Sequence, residues 1–170
     1  SQWLRKTACS GRILNTMSAS TLPVGLIGLG LVGTSLYHHL LRAGHSVVGY
    51  DLLPEKCHAL TVAGGLASAS IADVGKRCSL VLVSVLDTRQ VIEAVEGRDG
   101  LLQGESIVET VVDTTTGDPD QTVALATRLE DRGIDFMDGT ISGSSQQIRE
   151  REAVFLVGGK RSTYEQLDWL

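Results

Sequence analysis

The chain predicts an α/β protein: a doubly wound, mostly parallel sheet with helices on both faces. Three observations carry that prediction. Short apolar runs rich in β-branched residues alternate with amphipathic stretches along most of the chain, glycines and prolines punctuate the boundaries, and Leu80–Leu86 is a nearly continuous apolar run of the kind buried on both faces. Ordered β-α-β units stack parallel strands and cover both sides of the sheet with crossover helices. At 170 residues the chain is long enough for one domain with a full hydrophobic core.

In order, Val24–Leu29 predicts a first buried strand, and the helix after it carries Val32, Leu36 and Leu40 at helical spacing, with Val32 facing the core, until Gly44 stops it. Val47–Tyr50 is a second strand with Asp51 at its carboxyl end. Leu53–Leu60 begins a helix that Gly64 and Gly65 break, Leu66-Ala67 is a short strand, and a small helix surrounds Ile71–Val74. After the Leu80–Leu86 strand, Thr88–Val95 is helical and Ser106–Val112 is the next strand. Asp118 caps and Pro119 starts a helix running through Val123, Ala126 and Leu129 to Gly133. Ile134–Met137 and Ala153–Val157 are further strands. Tyr164–Leu170 reads as the start of a helix with Leu167 and Leu170 on one face.

Composition narrows the function. The net charge is -5 and the basic residues are dispersed, so no nucleic-acid partner is expected. The apolar runs are too short to cross a membrane. Cys9, Cys57 and Cys78 lack metal-ligand spacing, and their odd number argues against a disulfide scaffold, which fits a reduced cytoplasmic setting without a metal. His38 and His39 are adjacent and face different directions on a helix, so they are not a metal pair. Residues 1–22 read as a leader. Arg5, Lys6 and Arg12 among serines and threonines resemble an organelle transit peptide, but no amphipathic pattern is sustained, and a native start at Met17 behind an appended stretch is the preferred reading. Residues 23–160 then form one domain, with 161–170 as a segment that follows it.

The run from Val24 to Gly33, followed by a strand that ends on Asp51, has the order of a dinucleotide site. Gly28 allows the tight turn out of the strand, Gly30 leaves room for the pyrophosphate, and Gly33 lets the helix lie close on the strand. The phosphates meet free N–H groups at the positive helix end. Leu29, Leu31 and Val32 form the apolar wall of the turn. The competing reading is that the three glycines only permit close packing. A carboxylate at Asp51 accepts hydrogen bonds from ribose hydroxyls and repels a 2'-phosphate, so NAD is preferred to NADP. Leu52-Leu53-Pro54 supplies no guanidinium for that phosphate. The alternative for Asp51 is a solvated cap of the following helix. Ser142, between small and flexible neighbours, is a plausible donor to a substrate carboxylate, aided by the Gly143 N–H, or else part of a surface turn.

Once Asp138-Gly139-Thr140-Ile141-Ser142-Gly143 is set beside the glycine turn, the chain resembles the N-terminal domain of the β-hydroxyacid dehydrogenase family, which includes the 3-hydroxyisobutyrate and 6-phosphogluconate dehydrogenases. The resemblance, from about Pro23 to Gly159, implies a Rossmann-like fold and assigns roles. Val85 and Leu86 fall on the loop that touches the nicotinamide half, with Leu86 in place of the usual proline, and Gln90 stands where asparagine is common. Thr115 and Thr116 take the Ser-Thr positions, with Thr116 as the cofactor contact and Pro119 at the expected distance. Ser142 and Gly143 match the substrate-carboxylate clamp, while Ser144 replaces its second glycine and Arg151, Glu152 and Ala153 replace Gly-Thr-Leu. By the same resemblance a lysine in a following helical domain serves as acid/base. Lys160 stands too near Gly158 and Gly159 to match it.

The implied activity of the full-length protein is NAD-dependent hydride transfer between a small β-hydroxy acid and its semialdehyde or keto acid, by a homodimer. The chain alone is expected to be folded and inactive and to expose apolar area where the second domain packs. Two alternatives stay open: an imine reductase with a different proton donor, and a noncatalytic NAD-binding module.

Overall fold

A computed structural model describes residues 22–150 and 152–170, with Ser145 and Arg149 described by backbone alone. Residues 1–21 of the leader reading over 1–22, Cys9 among them, lie outside the described residues, as does Arg151. The elements are β1 (Val24–Ile27), α1 (Leu31–Arg42), β2 (Val47–Tyr50), α2 (Pro54–Val62), β3 (Leu66–Ala67), α3 (Ile71–Arg77), β4 (Leu80–Val83), α4 (Thr88–Glu96), β5 (Thr110–Asp113), α5 (Pro119–Glu130), β6 (Asp135–Ser142), α6 (Ser145–Glu150), β7 (Val154–Gly159) and α7 (Arg161–Gln166). They form one sheet in the order β3-β2-β1-β4-β5-β6-β7. Every pairing is parallel except β6 with β7.

Strand alternation sorts the apolar residues into two layers. Val24, Leu26, Leu82, Val112 and Met137 pack on one face with Tyr37 and Leu40 of α1 and Leu60 of α2. Ile27, Val81, Val83 and Val111 pack on the other with Val74 of α3, Val91 and Val95 of α4, and Leu125 and Leu129 of α5. Burial of each such leucine or valine contributes about 1.5–3 kcal/mol, so the central strands are anchored from both sides. Among the described residues no helix is long and apolar enough to cross a membrane.

Several expected boundaries shift, each for a packing reason. β1 stops at Ile27 because Gly28 turns with a φ of 88°. α1 buries Gly33, Tyr37 and Leu40 and leaves Val32 and Leu36 half-buried, because Gly33 sits directly against the Gly28 carbonyl and sets the helix rotation. Val32 therefore does not face the core as expected. β4 ends at Val83: the Ser84 N–H makes a last bond to the Ile27 carbonyl at 2.8 Å, and the Val85 N–H turns to the Thr115 hydroxyl at 3.1 Å. Ser106–Glu109 is not strand, since the Ile107 and Glu109 N–H groups bond to the Gly75 and Ser79 carbonyls.

The edge beyond β5 departs most from expectation. β6 runs to Ser142 rather than Met137, because β7 pairs antiparallel with Met137 through Ser142. α6 was not expected at all. It docks on α1 through buried Ile148 and a 2.9 Å bond between His39 Nε2 and the Ile148 carbonyl. α7 starts at Arg161 and is already capped at Leu167, so Tyr164–Leu170 is not the beginning of a helix. Leu167 packs on the core and the Trp169 ring lies 4.5 Å from that of His45. Val154, Phe155, Leu156 and Val157 of β7 are all exposed.

Candidate nucleotide-binding site

The three glycines of the first turn separate physically. A side chain at Gly28 would collide with the Ser84 carbonyl and would sit on a positive φ, and one at Gly33 would collide with the Gly28 carbonyl. Both glycines are explained by the protein's own packing. Gly30 is different: a Cβ there meets nothing within 4 Å, and its φ is -69°. The residue caps α1 with no side-chain hydrogen bond, and no acidic group lies in the first turn. The N–H groups of that turn have no acceptor inside the helix and carry its positive end, so open space at Gly30 fits a phosphate that approaches the backbone.

Asp51 follows β2 and is fixed by two backbone donors. Its Oδ2 accepts the Leu29 N–H at 2.7 Å and its Oδ1 the Leu53 N–H at 2.9 Å. It does not cap α2, whose N-cap position is Leu53 without a side-chain bond. The carboxylate is thereby tied to the glycine turn, and each oxygen keeps a lone pair for a ribose hydroxyl. Of the expected apolar wall, Leu29 is fully buried and points into the core, while Leu31 is 73% exposed and Val32 half-buried. A cleft of about 260 Å³ runs from Gly30 and Leu31 along α1 to Arg42 and is bordered by Lys56 of α2. Only its Gly30 end touches the expected cofactor path. Lys56 lies in the first turn of α2, just beyond the Leu52–Pro54 stretch that lacks a guanidinium, and its place two residues after Pro54 is the sequence signal for this cation.

The loops after β4 and β5 hold the nicotinamide-side candidates. Leu86 is 84% exposed, and its N–H donates to Gln90 Oε1 at 3.2 Å, so that oxygen of Gln90 braces the loop. The Asp87 carboxylate caps α4 through the Gln90 N–H at 2.8 Å. Thr114 is buried and donates to the Val83 carbonyl at 3.0 Å; Thr116 is exposed beside it at the rim. Asp118 caps α5 through the Asp120 and Gln121 N–H groups.

Ser142 is the last residue of β6, exposed opposite Val154, and Gly143 follows with a φ of 152°. Ser144 explains its own departure from glycine. Its hydroxyl accepts the Gln147 N–H at 3.2 Å while Gln147 Oε1 accepts the Ser144 N–H at 2.8 Å, a capping box that starts α6. That Ser-x-x-Gln spacing was the readable sign of the missed helix. Lys160 lies at the opposite end of the sheet, where Nζ bonds Glu130 and Asp135, each at 3.0 Å, and these bonds hold its pKa above the usual value. Cys57 and Cys78 are free thiols, and burial pushes Cys78 up to about 11. Among the described residues no cluster suits a metal ion.

A doubly wound sheet with a glycine turn open at Gly30 after its first strand and a fixed carboxylate after its second has the layout of a dinucleotide-binding domain of Rossmann type. The family model described as the NAD binding domain of 6-phosphogluconate dehydrogenase matches residues 23–170, and the chain belongs to that family. It is 33% identical over 141 residues to the mitochondrial 3-hydroxyisobutyrate dehydrogenase of Homo sapiens, covering 83% of this chain and 42% of that protein. It is 30% identical over 160 residues to the cytokine-like nuclear factor N-PAC of Pongo abelii, covering 94% and 29%. A reductive aminase from Aspergillus terreus, solved with NADPH4, cyclohexanone and allyl amine, superposes with a TM-score of 0.74 at 26% identity over 88% of this chain and 52% of that one. The chain thus spans about half the length of these relatives or less. It is an NAD(P)-binding domain related to those of a 3-hydroxyisobutyrate dehydrogenase and a reductive aminase.

Proposed function

We propose that this chain is the NAD-binding part of an oxidoreductase that moves hydride between NAD and a small β-hydroxy acid of the 3-hydroxyisobutyrate kind. The observation that carries the nucleotide reading is Gly30, whose missing side chain leaves a space that no protein atom requires. Residues 23–160 are the nucleotide unit, and 161–170 lead toward a helical second domain. Bound NAD supplies the hydride acceptor. The turn that Gly28 and Gly33 allow presents Gly30, Leu31 and Val32 to the pyrophosphate; Val85, Leu86 and Thr116, braced by Gln90, orient the nicotinamide; Ser142 and Gly143 donate to the substrate carboxylate. A proton acceptor on the substrate hydroxyl must lie within hydrogen-bond reach, and Lys160, on the far end of the sheet, does not serve.

Asp51 selects NAD, because a charge pinned by two N–H groups cannot swing away from a 2'-phosphate. NADH should bind at least about fivefold tighter than NADPH, and Asp51→Asn should narrow that gap. Equal affinities in the unaltered chain, with Lys56 offsetting the carboxylate, would overturn the assignment. For the substrate, 3-hydroxyisobutyrate and other small hydroxy acids are offered to the full-length enzyme. Ser142→Ala should raise KM by about tenfold, the value of one hydrogen bond to a charged group, with little change in NADH affinity. An unchanged KM would remove Ser142 from the site.

The likeness to the reductive aminase favours a second reading, imine reduction, which turnover of cyclic imines but not hydroxy acids would establish. Binding of NAD without turnover of either class would favour a noncatalytic module. The full-length protein is expected to be a homodimer, which light scattering tests. Its placement is expected to be cytoplasmic, and a reporter fused to residues 1–21 that entered mitochondria, the compartment printed in the human relative's name, would overturn that.

A further inference from the structure

The carboxyl end of β5 buries a charge that the proposed ligand contacts do not use. Asp113 is 3% exposed and lies between Val83 of β4 and Asp138 of β6. Its Oδ1 accepts the Thr115 N–H at 2.9 Å, and the Thr115 hydroxyl also stabilises its ionised form. Thr115 is itself buried, and its hydroxyl oxygen accepts the Val85 N–H at 3.1 Å. The hydroxyl keeps its proton while it accepts the Val85 N–H, and Asp113 is the carboxylate on which that hydroxyl acts. The chain of bonds runs from Val85 through Thr115 to Asp113 and joins the loop after β4 to the loop after β5. Burying a carboxylate costs free energy that an apolar residue would not.

We propose that Asp113 is a positioning residue for the cofactor: its carboxylate orients the Thr115 hydroxyl, which holds the Val85 N–H and with it the Val85–Leu86 loop against the nicotinamide. This rests on the reading of the domain as nicotinamide-binding. Burial, the largest influence, pushes Asp113 up to about 6; the two Thr115 bonds oppose it and the Asp138 charge adds to it. From β4, Val83, Ser84 and Val85 present no charge. From β6 the facing charge is Asp138, whose Oδ1 accepts the Thr140 N–H and hydroxyl. From the helices on that face come Asp87 and Asp118, each engaged at its own N-cap. Protonated, Asp113 loses the charge that strengthens its hold on the Thr115 N–H and hydroxyl. The loop then loosens as pH falls through the Asp113 titration.

The test is calorimetric titration of the 170-residue chain with NADH and with ADP-ribose, which lacks only the nicotinamide ring, between pH 5.5 and 8. Asp113→Asn and Thr115→Val should each weaken NADH about tenfold at pH 8, the equivalent of one hydrogen bond, and leave ADP-ribose within about twofold. Thr115→Ser, which keeps the hydroxyl, should restore NADH affinity. The unaltered chain should lose NADH affinity toward pH 5.5 while Asp113→Asn stays flat. Unchanged NADH affinity in both variants, or an equal loss of ADP-ribose and NADH, would overturn the positioning role. Failure of the unaltered chain to bind either ligand would instead overturn the nucleotide reading beneath it.

Discussion

Replacing Gly30 by valine should leave the domain folded and reduce NADH affinity by at least about a hundredfold, a loss of ~2.7 kcal/mol. The expectation follows from the asymmetry within the glycine turn. A Cβ at Gly30 meets no protein atom within 4 Å and the φ is negative, so the folded chain accommodates it. Its cost to stability is that of a poorer N-cap, about 0.5–1 kcal/mol. The branched side chain then fills the space that the pyrophosphate needs to reach the first-turn N–H groups. Gly33→Val is the contrasting control. Its Cβ meets the Gly28 carbonyl backbone, which cannot give way without moving the turn, so stability should fall by about 1–3 kcal/mol or more, before any question of binding arises. Thermal melting and NADH fluorescence titration on both variants separate the two cases. NADH affinity in Gly30→Val within threefold of the unaltered chain, at an unchanged melting temperature, would exclude the pyrophosphate from this turn.

Asp113→Asn should make the chain more stable at neutral pH even as it weakens NADH. A carboxyl raised from 3.8 to about 6 binds its proton more tightly in the folded than in the unfolded state. Its contribution is therefore most favourable below the unfolded value near 4 and is lost as pH rises through 6. Above that, the ionised group costs on the order of 3 kcal/mol, from about 1.4 kcal/mol for each pH unit between the two values. Asparagine keeps an oxygen for the Thr115 N–H and removes the charge. Urea unfolding at pH 8 should show the variant more stable by 1–3 kcal/mol, with the difference vanishing at pH 4. A variant less stable at pH 8 would mean that the carboxylate contributes to folding rather than being carried at its expense. The pairing of higher stability with poorer cofactor binding is the pattern expected of a residue kept for its site.

Local chemistry made much of this protein readable from its residues. β2 and β3 fall where the apolar runs place them, and Asp118-Pro119 opens α5 because a carboxylate cap and a fixed proline φ act on adjacent residues. The glycine turn and Asp51 were legible for the same reason: spacing within one β-α-β unit encodes the relation of strand end to helix start. Ser144 and Gln147 show that α6 was legible too, through a capping box that was not used.

What only the tertiary structure decided depends on partners far along the chain. Where β4 ends is set by Thr115, which draws the Val85 N–H out of the ladder. How far β6 runs is set by β7, and which face α1 buries by the Gly28 carbonyl. Periodicity carries no information about those contacts, since each is made by residues that meet only after the sheet has formed. Lys160 does not match the family lysine by spacing, and the fold places it with Glu130 and Asp135 at the end of the sheet away from the glycine turn. Likewise Asp113 lies just past the Ser106–Val112 run, and nothing beside it in sequence sets it apart. It becomes a buried charge beside Asp138 and Thr115 because β4, β5 and β6 align their carboxyl ends and α4 and α5 close over them. Sequence thus determined the fold class and the glycine turn through short-range chemistry, while burial, which alone turns Asp113 into a tuned group, exists only once distant strands are packed side by side.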